Sequence, residues 1–168
     1  GLRLLECLQL RVKDIDFDRR QVTIRDPKGR RDRATMLPNA VDDALREQLQ
    51  SARGIHNQDL QQGWGAVPLP TAIARKFPNA SREWTWQWVF PATSRWRDEE
   101  GRESRHHLHE TVIQRAVRKA AIESQIAKRV TLSLPRFRGR VSSWASRMSR
   151  FDAAVIVYGF AGNGKVEA

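Results

Sequence analysis

Val12-Lys13-Asp14-Ile15-Asp16-Phe17-Asp18-Arg19-Arg20-Gln21-Val22-Thr23-Ile24-Arg25-Asp26-Pro27-Lys28-Gly29-Arg30-Arg31-Asp32-Arg33-Ala34-Thr35-Met36-Leu37-Pro38 is the stretch that decides the fold. Val12, Ile15 and Phe17 fall among charged residues with the spacing of a short strand. Asp18-Arg19-Arg20 reads as a turn and residues 21–25 as a second strand. Asp26-Pro27-Lys28-Gly29 has turn chemistry, because proline presets φ and glycine supplies φ > 0. A third strand over 33–37 ends at Pro38. Residues 12–37 are therefore expected to form a small antiparallel sheet with Lys28 at the tip of its second hairpin.

Upstream, residues 2–11 are expected to be helical, because Leu2, Leu5 and Leu8 recur at helical spacing. Arg3 stands at the start of that face with Glu6 three residues on. An arginine on a helix and a lysine on a hairpin suggest a site built to hold a phosphate. Downstream, Asn39 is the expected N-cap of a helix over roughly 40–53, with Val41, Ala44, Leu45 and Leu49 on one face. Residues 54–70 are mixed, and 71–77 form a short helix stopped by Pro78. Alternating aromatics in Trp84-Thr85-Trp86-Gln87-Trp88-Val89-Phe90 predict a strand or extended arm. Residues 98–101 form a loop. Residues 109–122 predict an amphipathic helix whose apolar face carries Val112, Ile113, Ala116, Val117 and Ala120.

The 168 residues carry 30 Lys+Arg against 19 Asp+Glu, a formal net charge of +11. That balance favours a polyanionic partner, nucleic acid before anionic membrane. Arginine dominates the basic set, and its planar fork suits bidentate contact with phosphate. The single cysteine, Cys7, excludes an intrachain disulfide and points to a reducing compartment. No run approaches the ~18 apolar residues of a membrane span and no secretory segment is visible, so a cytoplasmic location without a membrane partner is expected.

Three segments carry a resemblance to a known family. Gly1-Leu2-Arg3-Leu4-Leu5-Glu6, then Leu10-Arg11-Val12-Lys13-Asp14-Ile15-Asp16, and the hairpin from Asp26 to Arg33 running into Met36-Leu37-Pro38 resemble the catalytic domain of tyrosine recombinases. The stretch from Pro70 to Phe90, with Ala74-Arg75-Lys76-Phe77-Pro78-Asn79-Ala80 and the Trp-x-Trp-x-Trp run, resembles the extra segment of integron integrases. The resemblance covers about residues 1–131. It implies an α+β fold, mainly α, with a three-stranded antiparallel sheet and helices, incomplete here. It also implies an insert over about 61–96, DNA as partner, and self-association on DNA in the intact family. No metal or other cofactor is implied.

In that family a tyrosine attacks a DNA phosphodiester and forms a 3′-phosphotyrosine. Fixed guanidinium donors stabilise the charge gathering on the phosphate, and a hairpin lysine can protonate the leaving 5′-oxygen. Carried over by position, Arg3 matches the first catalytic arginine and Lys28 the hairpin lysine, although Pro27 replaces the usual glycine before it. Glu6 orients rather than reacts. His106 and His107, with Trp84, Trp86 and Trp88, match the parts thought to hold bases flipped from a folded single-stranded site. Burial of the tryptophans in a core or sheet remains the alternative. His106 and His109 have the spacing of a metal pair, but no cysteine or carboxylate set completes it, so no metal is expected.

The resemblance breaks after Thr131. A His-x-x-Arg box is due there, and the chain gives Leu132-Ser133-Leu134-Pro135-Arg136-Phe137-Arg138. Arg136 and Tyr158, the sole tyrosine, are the nearest stand-ins for the second arginine and the nucleophile, and both lack the family's flanking residues. Residues 132–168 are expected to be an aberrant, poorly ordered tail, read in a shifted frame or diverged in frame. The expected function is site-specific DNA recombination, gene-cassette integration and excision, in a fragment with impaired chemistry. A non-catalytic basic nucleic-acid-binding module is the alternative, and a product that does not fold is a third. The N-terminal DNA-clamping domain of the family is expected to be missing.

Overall fold

The computed structural model describes residues 2–25, 32–99, 101 and 103–123. Chain order begins with α1 (Leu4–Leu8), a 3-10 turn at Val12–Asp14, β1 (Ile15–Asp16), β2 (Gln21–Ile24) and β3 (Arg33–Met36). A second 3-10 turn at Asn39–Val41 leads into α2 (Asp42–Gln61), followed by α3 (Thr71–Lys76). Two further 3-10 turns, Pro78–Arg82 and Trp84–Trp86, precede β4 (Trp96–Arg97), β5 (Glu103–Ser104) and α4 (Glu110–Glu123).

The three-stranded antiparallel sheet has the order β1-β2-β3. Ile15 pairs with Val22, and Val22 and Ile24 pair with Thr35 and Arg33. Period-2 alternation turns Val22 and Ile24 inward, and both are buried. The expected strands over 21–25 and 33–37 are present to within a residue. The segment 12–17 is half 3-10 turn and only Ile15–Asp16 is strand. Asp14 Oδ2 accepts the backbone N–H of Arg11 at 3.1 Å, a local bond that favours the turn.

One core joins these elements. Leu2, Leu4, Cys7 and Leu8 from the α1 region meet Val22, Ile24, Leu37, Val41, Leu45, Val89, Phe90, Leu108 and Ile113. Burial pushes the Cys7 thiol up to about 12, so it is an inert core residue. α1 is shorter than its apolar pattern, because Arg3 is already extended and Glu6 Oε2 accepts the Arg3 N–H at 2.7 Å.

α2 runs past the expected end at residue 53, straight through Gly54. Its buried face is Leu45, Gln48, Ala52, His56 and Asp59. The second half of that face is polar, so hydrophobic periodicity could not show it. Asn39 lies inside the 3-10 turn and is not the N-cap of α2, which begins after Val41.

The segment after α2 turns back at Gly63 and Gly65. Gly65 has φ +96, which strains any residue with a Cβ, and a Cβ there would also push against Leu60 Cδ2 at 2.8 Å. The aromatic run is not a strand. Trp84–Trp86 is a 3-10 turn, and only Trp88 pairs, in a bridge with Arg11. Gln87 decides this: its side-chain amide reaches the carbonyls of Gly65 and Ser81, each at 3.1 Å, and that of Glu83 at 3.3 Å. Those bonds fold the backbone around a buried amide. Residues 87–92 then thread between two neighbours. Val12 N–H donates to Gln87 O at 3.0 Å and Val89 N–H to Leu10 O at 2.9 Å. On the other side Leu108 N–H donates to Phe90 O at 2.7 Å and Ala92 N–H to His106 O at 2.8 Å.

Candidate nucleic-acid interface

Arg3 enters α1 from an extended backbone (φ -77, ψ 156), and its side chain is 72% exposed. Its Nη1 donates to Glu6 Oε1 at 3.2 Å. The other oxygen of Glu6 accepts from Arg33 Nη2 on β3 at 2.6 Å. The helix start and the strand leaving the β2–β3 loop therefore converge on one carboxylate. Lys28 sits in that loop and lies outside the described residues, as do Arg136 and Tyr158. At the root of the loop Arg25 bridges Asp14 Oδ1, at 2.8 Å, and Asp32 Oδ2, at 3.2 Å.

The predicted aromatic residues separate into different environments. Trp88 is buried, carries the Arg11 guanidinium 3.8 Å from its ring centroid, and donates Nε1–H to Arg105 O at 3.0 Å. Trp86 is partly buried, with the Lys13 ammonium 2.8 Å from its centroid. Trp84 lies beside His56, at 5.9 Å between centroids, and under Arg53 at 5.0 Å. Each of these rings carries a cation over its face.

Arg11 is almost entirely buried and donates to Trp86 O at 2.6 Å and Pro68 O at 2.7 Å. Burial pulls its pKa to about 10, with Asp14 opposing and Arg25 adding to the shift. Burial and the neighbouring Arg25 bring the Lys13 amine down to about 8. Both residues anchor the segment after α2 to the sheet side of the core.

His107 meets Trp88 edge-on, with centroids 5.3 Å apart. Its Nδ1 lies 2.9 Å from Leu108 O, which can only accept, so Nδ1 carries the proton. Nε2 is then free to accept from Gln9 Nε2 at 3.5 Å. His106 packs edge-on against Trp96, with centroids 5.3 Å apart. Burial, then repulsion from His107, lowers its pKa and keeps it neutral near pH 7. His109 turns elsewhere, its Nδ1 2.9 Å from Thr111 Oγ1, so it does not join His106.

Sequence reading missed Trp96, which is 52% exposed on the β4–β5 ribbon. Its signal was an isolated tryptophan between arginines. It also missed the Asp59 node. Arg105 grips Asp59 with two parallel bonds of 2.7 and 2.9 Å, and Arg95 adds another at 3.1 Å. Burial alone would raise the Asp59 pKa, but Arg105 and Arg95 together outweigh it and hold it below the usual carboxylate value.

Among the described residues no helix is long and apolar enough to cross a membrane. A profile of the phage integrase family matches residues 1–154, beyond the point where the resemblance was expected to stop. An integrase/recombinase of Escherichia coli and an integrase/recombinase of Pseudomonas aeruginosa are each 42% identical over 132 residues. That stretch is 78% of this chain and 39% of each relative, so the chain spans about two fifths of their length. The matched profile covers Arg3 and the α1 helix it precedes, the three-stranded sheet and the helices that follow, and the chain belongs to the phage integrase family.

Proposed function

We propose that this chain is part of a site-specific DNA recombinase of the tyrosine type, and within it of the integron-integrase kind. The observation that carries the reading is the convergence of exposed Arg3 with the β2–β3 hairpin through Glu6. In this account Arg3 neutralises charge on the non-bridging oxygens of the scissile phosphate. A tyrosine oxygen forms a bond to phosphorus, the bond from phosphorus to the 5′-oxygen breaks, and Lys28 gives that oxygen its proton. Exposed Trp96, with half-buried His106 packed edge-on against it, offers an aromatic surface for an unpaired base, at about 1–3 kcal/mol per stacked base. Residues 61–96 form the integron-type insert of a catalytic domain spanning 1–131.

Residues 132–168 are read in a shifted frame, and this chain does not cleave DNA because its sequence shows neither a recognisable His-x-x-Arg box nor a recognisable nucleophilic tyrosine. An in-frame, diverged tail is the competing account, supported by the profile match to residue 154. Translating the coding DNA in the other two frames separates them, since a shifted frame must yield a His-x-x-Arg box downstream.

Binding is tested with a fluorescent DNA hairpin bearing unpaired bases and a matched duplex, each titrated over a range of salt. Preference for the hairpin, with affinity falling steeply as salt rises, supports the reading. Equal affinity for both probes would favour a basic nucleic-acid-binding module. Accumulation of a covalent complex on a nicked suicide substrate would overturn the loss of cleavage.

A further inference from the structure

We propose that Arg33 is a second phosphate-gripping arginine of this site, acting on the same phosphate as Arg3, with Glu6 as the residue that positions both. The inference rests on the recombinase reading and adds a residue that the sequence motifs do not assign.

Three observations carry it. First, Arg3 and Arg33 come from different elements, yet engage the two oxygens of one carboxylate at 3.2 and 2.6 Å. The oxygens of a carboxylate share a carbon, so the two guanidiniums are brought within reach of one tetrahedral anion. Second, both backbones are fixed. The Arg3 N–H is held by Glu6 Oε2 at 2.7 Å, and Arg33 is paired with Ile24 in the sheet. Third, burial is graded in the sense a binding site needs. The Glu6 side chain is 19% exposed, whereas Arg33 is 47% and Arg3 72% exposed. The carboxylate lies beneath and the guanidiniums face solvent.

Charge separates this cluster from its neighbour. At the loop root one guanidinium, Arg25, is shared by two carboxylates, Asp14 and Asp32. That trio has one negative charge in excess and serves as a clamp. Around Glu6 two guanidiniums share one carboxylate and both are exposed, an arrangement that attracts an anion. A guanidinium presents five N–H donors in a rigid fork whose planar geometry suits phosphate oxygens. A second arginine across the phosphate from Arg3 would hold it against rotation.

The test uses the whole chain and the fluorescent DNA hairpin, with binding measured from low to high salt. Arg33→Ala is expected to weaken binding and to lower the slope of log K against log salt by about 1, as Arg3→Ala does. Arg33→Lys keeps the slope, because it keeps the charge, while binding more weakly than the parent. The Arg3→Ala/Arg33→Ala pair loses less than the two single losses combined, because both residues hold one phosphate. Thermal melting of each variant separates binding from folding. Parental slope and affinity in Arg33→Ala, beside a reduced slope in Arg3→Ala, overturn the role of Arg33 alone. Equal loss in Arg33→Ala and Arg33→Lys with matching loss of melting temperature also overturns it, because that is a structural residue. A parent chain without salt-dependent DNA binding defeats the recombinase reading, and the inference falls with it.

Discussion

Arg20 is the described non-glycine residue with a left-handed backbone, φ 53, in the turn between β1 and β2. Its carbonyl accepts the Leu37 N–H at 2.8 Å, so β3 is docked through a strained residue. Its Nη2 is buried without a hydrogen-bond partner. Glycine adopts this backbone without the Cβ clash. Arg20→Gly is therefore expected to raise stability by about 1 kcal/mol, read as a higher urea midpoint at unchanged m-value. A lower midpoint would mean that the aliphatic stem of Arg20 packs more strongly than the strain costs.

His56 makes a pH-dependent contribution at the same scale. It is buried on α2 with Nδ1 unpartnered, and burial, partly offset by Asp59, lowers its pKa. The folded state favours the neutral ring, so the unfolded chain binds more protons below its ordinary value of 6.5. Stability is full above that value and falls as pH drops through it. His106 shifts in the same direction and adds to the slope. Denaturation at pH 8 and pH 5 should show a loss on acidification that His56→Gln reduces. An unchanged loss in the variant would place the titration elsewhere.

At the scale of elements, α2 shows how a helix can exceed its visible pattern. Gly54 lies mid-helix and exposed, with nothing within 4 Å of a Cβ built there. Gly54→Ala is expected to stabilise by about 0.5–1 kcal/mol through backbone entropy, measured as a rise in melting temperature. The glycine made residue 53 look like an end, and the buried face beyond it is His56 and Asp59. Polar residues buried against specific partners carry no hydrophobic period. α4 and α3, by contrast, formed close to their expected bounds, because a local pattern and a proline stop suffice for them. The tryptophan run failed as a strand for the opposite reason: its alternation was real, but Gln87 spends its amide on three carbonyls and curls the chain.

For the whole molecule, Asp59 ties α2 to the segment that leads from Phe90 to α4. Its side chain is 5% exposed, and its partners Arg105 and Arg95 are 11% and 27% exposed. Arg105 also donates to Ala92 O at 2.6 Å and Thr93 O at 3.0 Å, which shapes the β4–β5 approach and so places His106. Asp59→Ala leaves two guanidiniums poorly paired and is expected to cost about 3–5 kcal/mol. The Asp59 pKa is depressed, so its contribution is present above its unfolded value of 3.8 and is lost as pH falls through the folded one. Chemical denaturation at pH 7 and pH 3 should show a smaller difference between parent and variant at the lower pH.

Local pattern was enough for the antiparallel sheet around residues 21–37, the helices at 71–76 and 110–123, the basic charge and the family. Each of those depends on near neighbours in the chain: alternation, turn residues, helical spacing. Tertiary structure alone decided the second half of α2, the curl of the tryptophan run, the Asp59 node and the meeting of Arg3 with Arg33 on Glu6. Those rest on polar side chains that become favourable in the interior only when partners distant in sequence reach them, and a carboxylate carries no mark of which arginine will arrive.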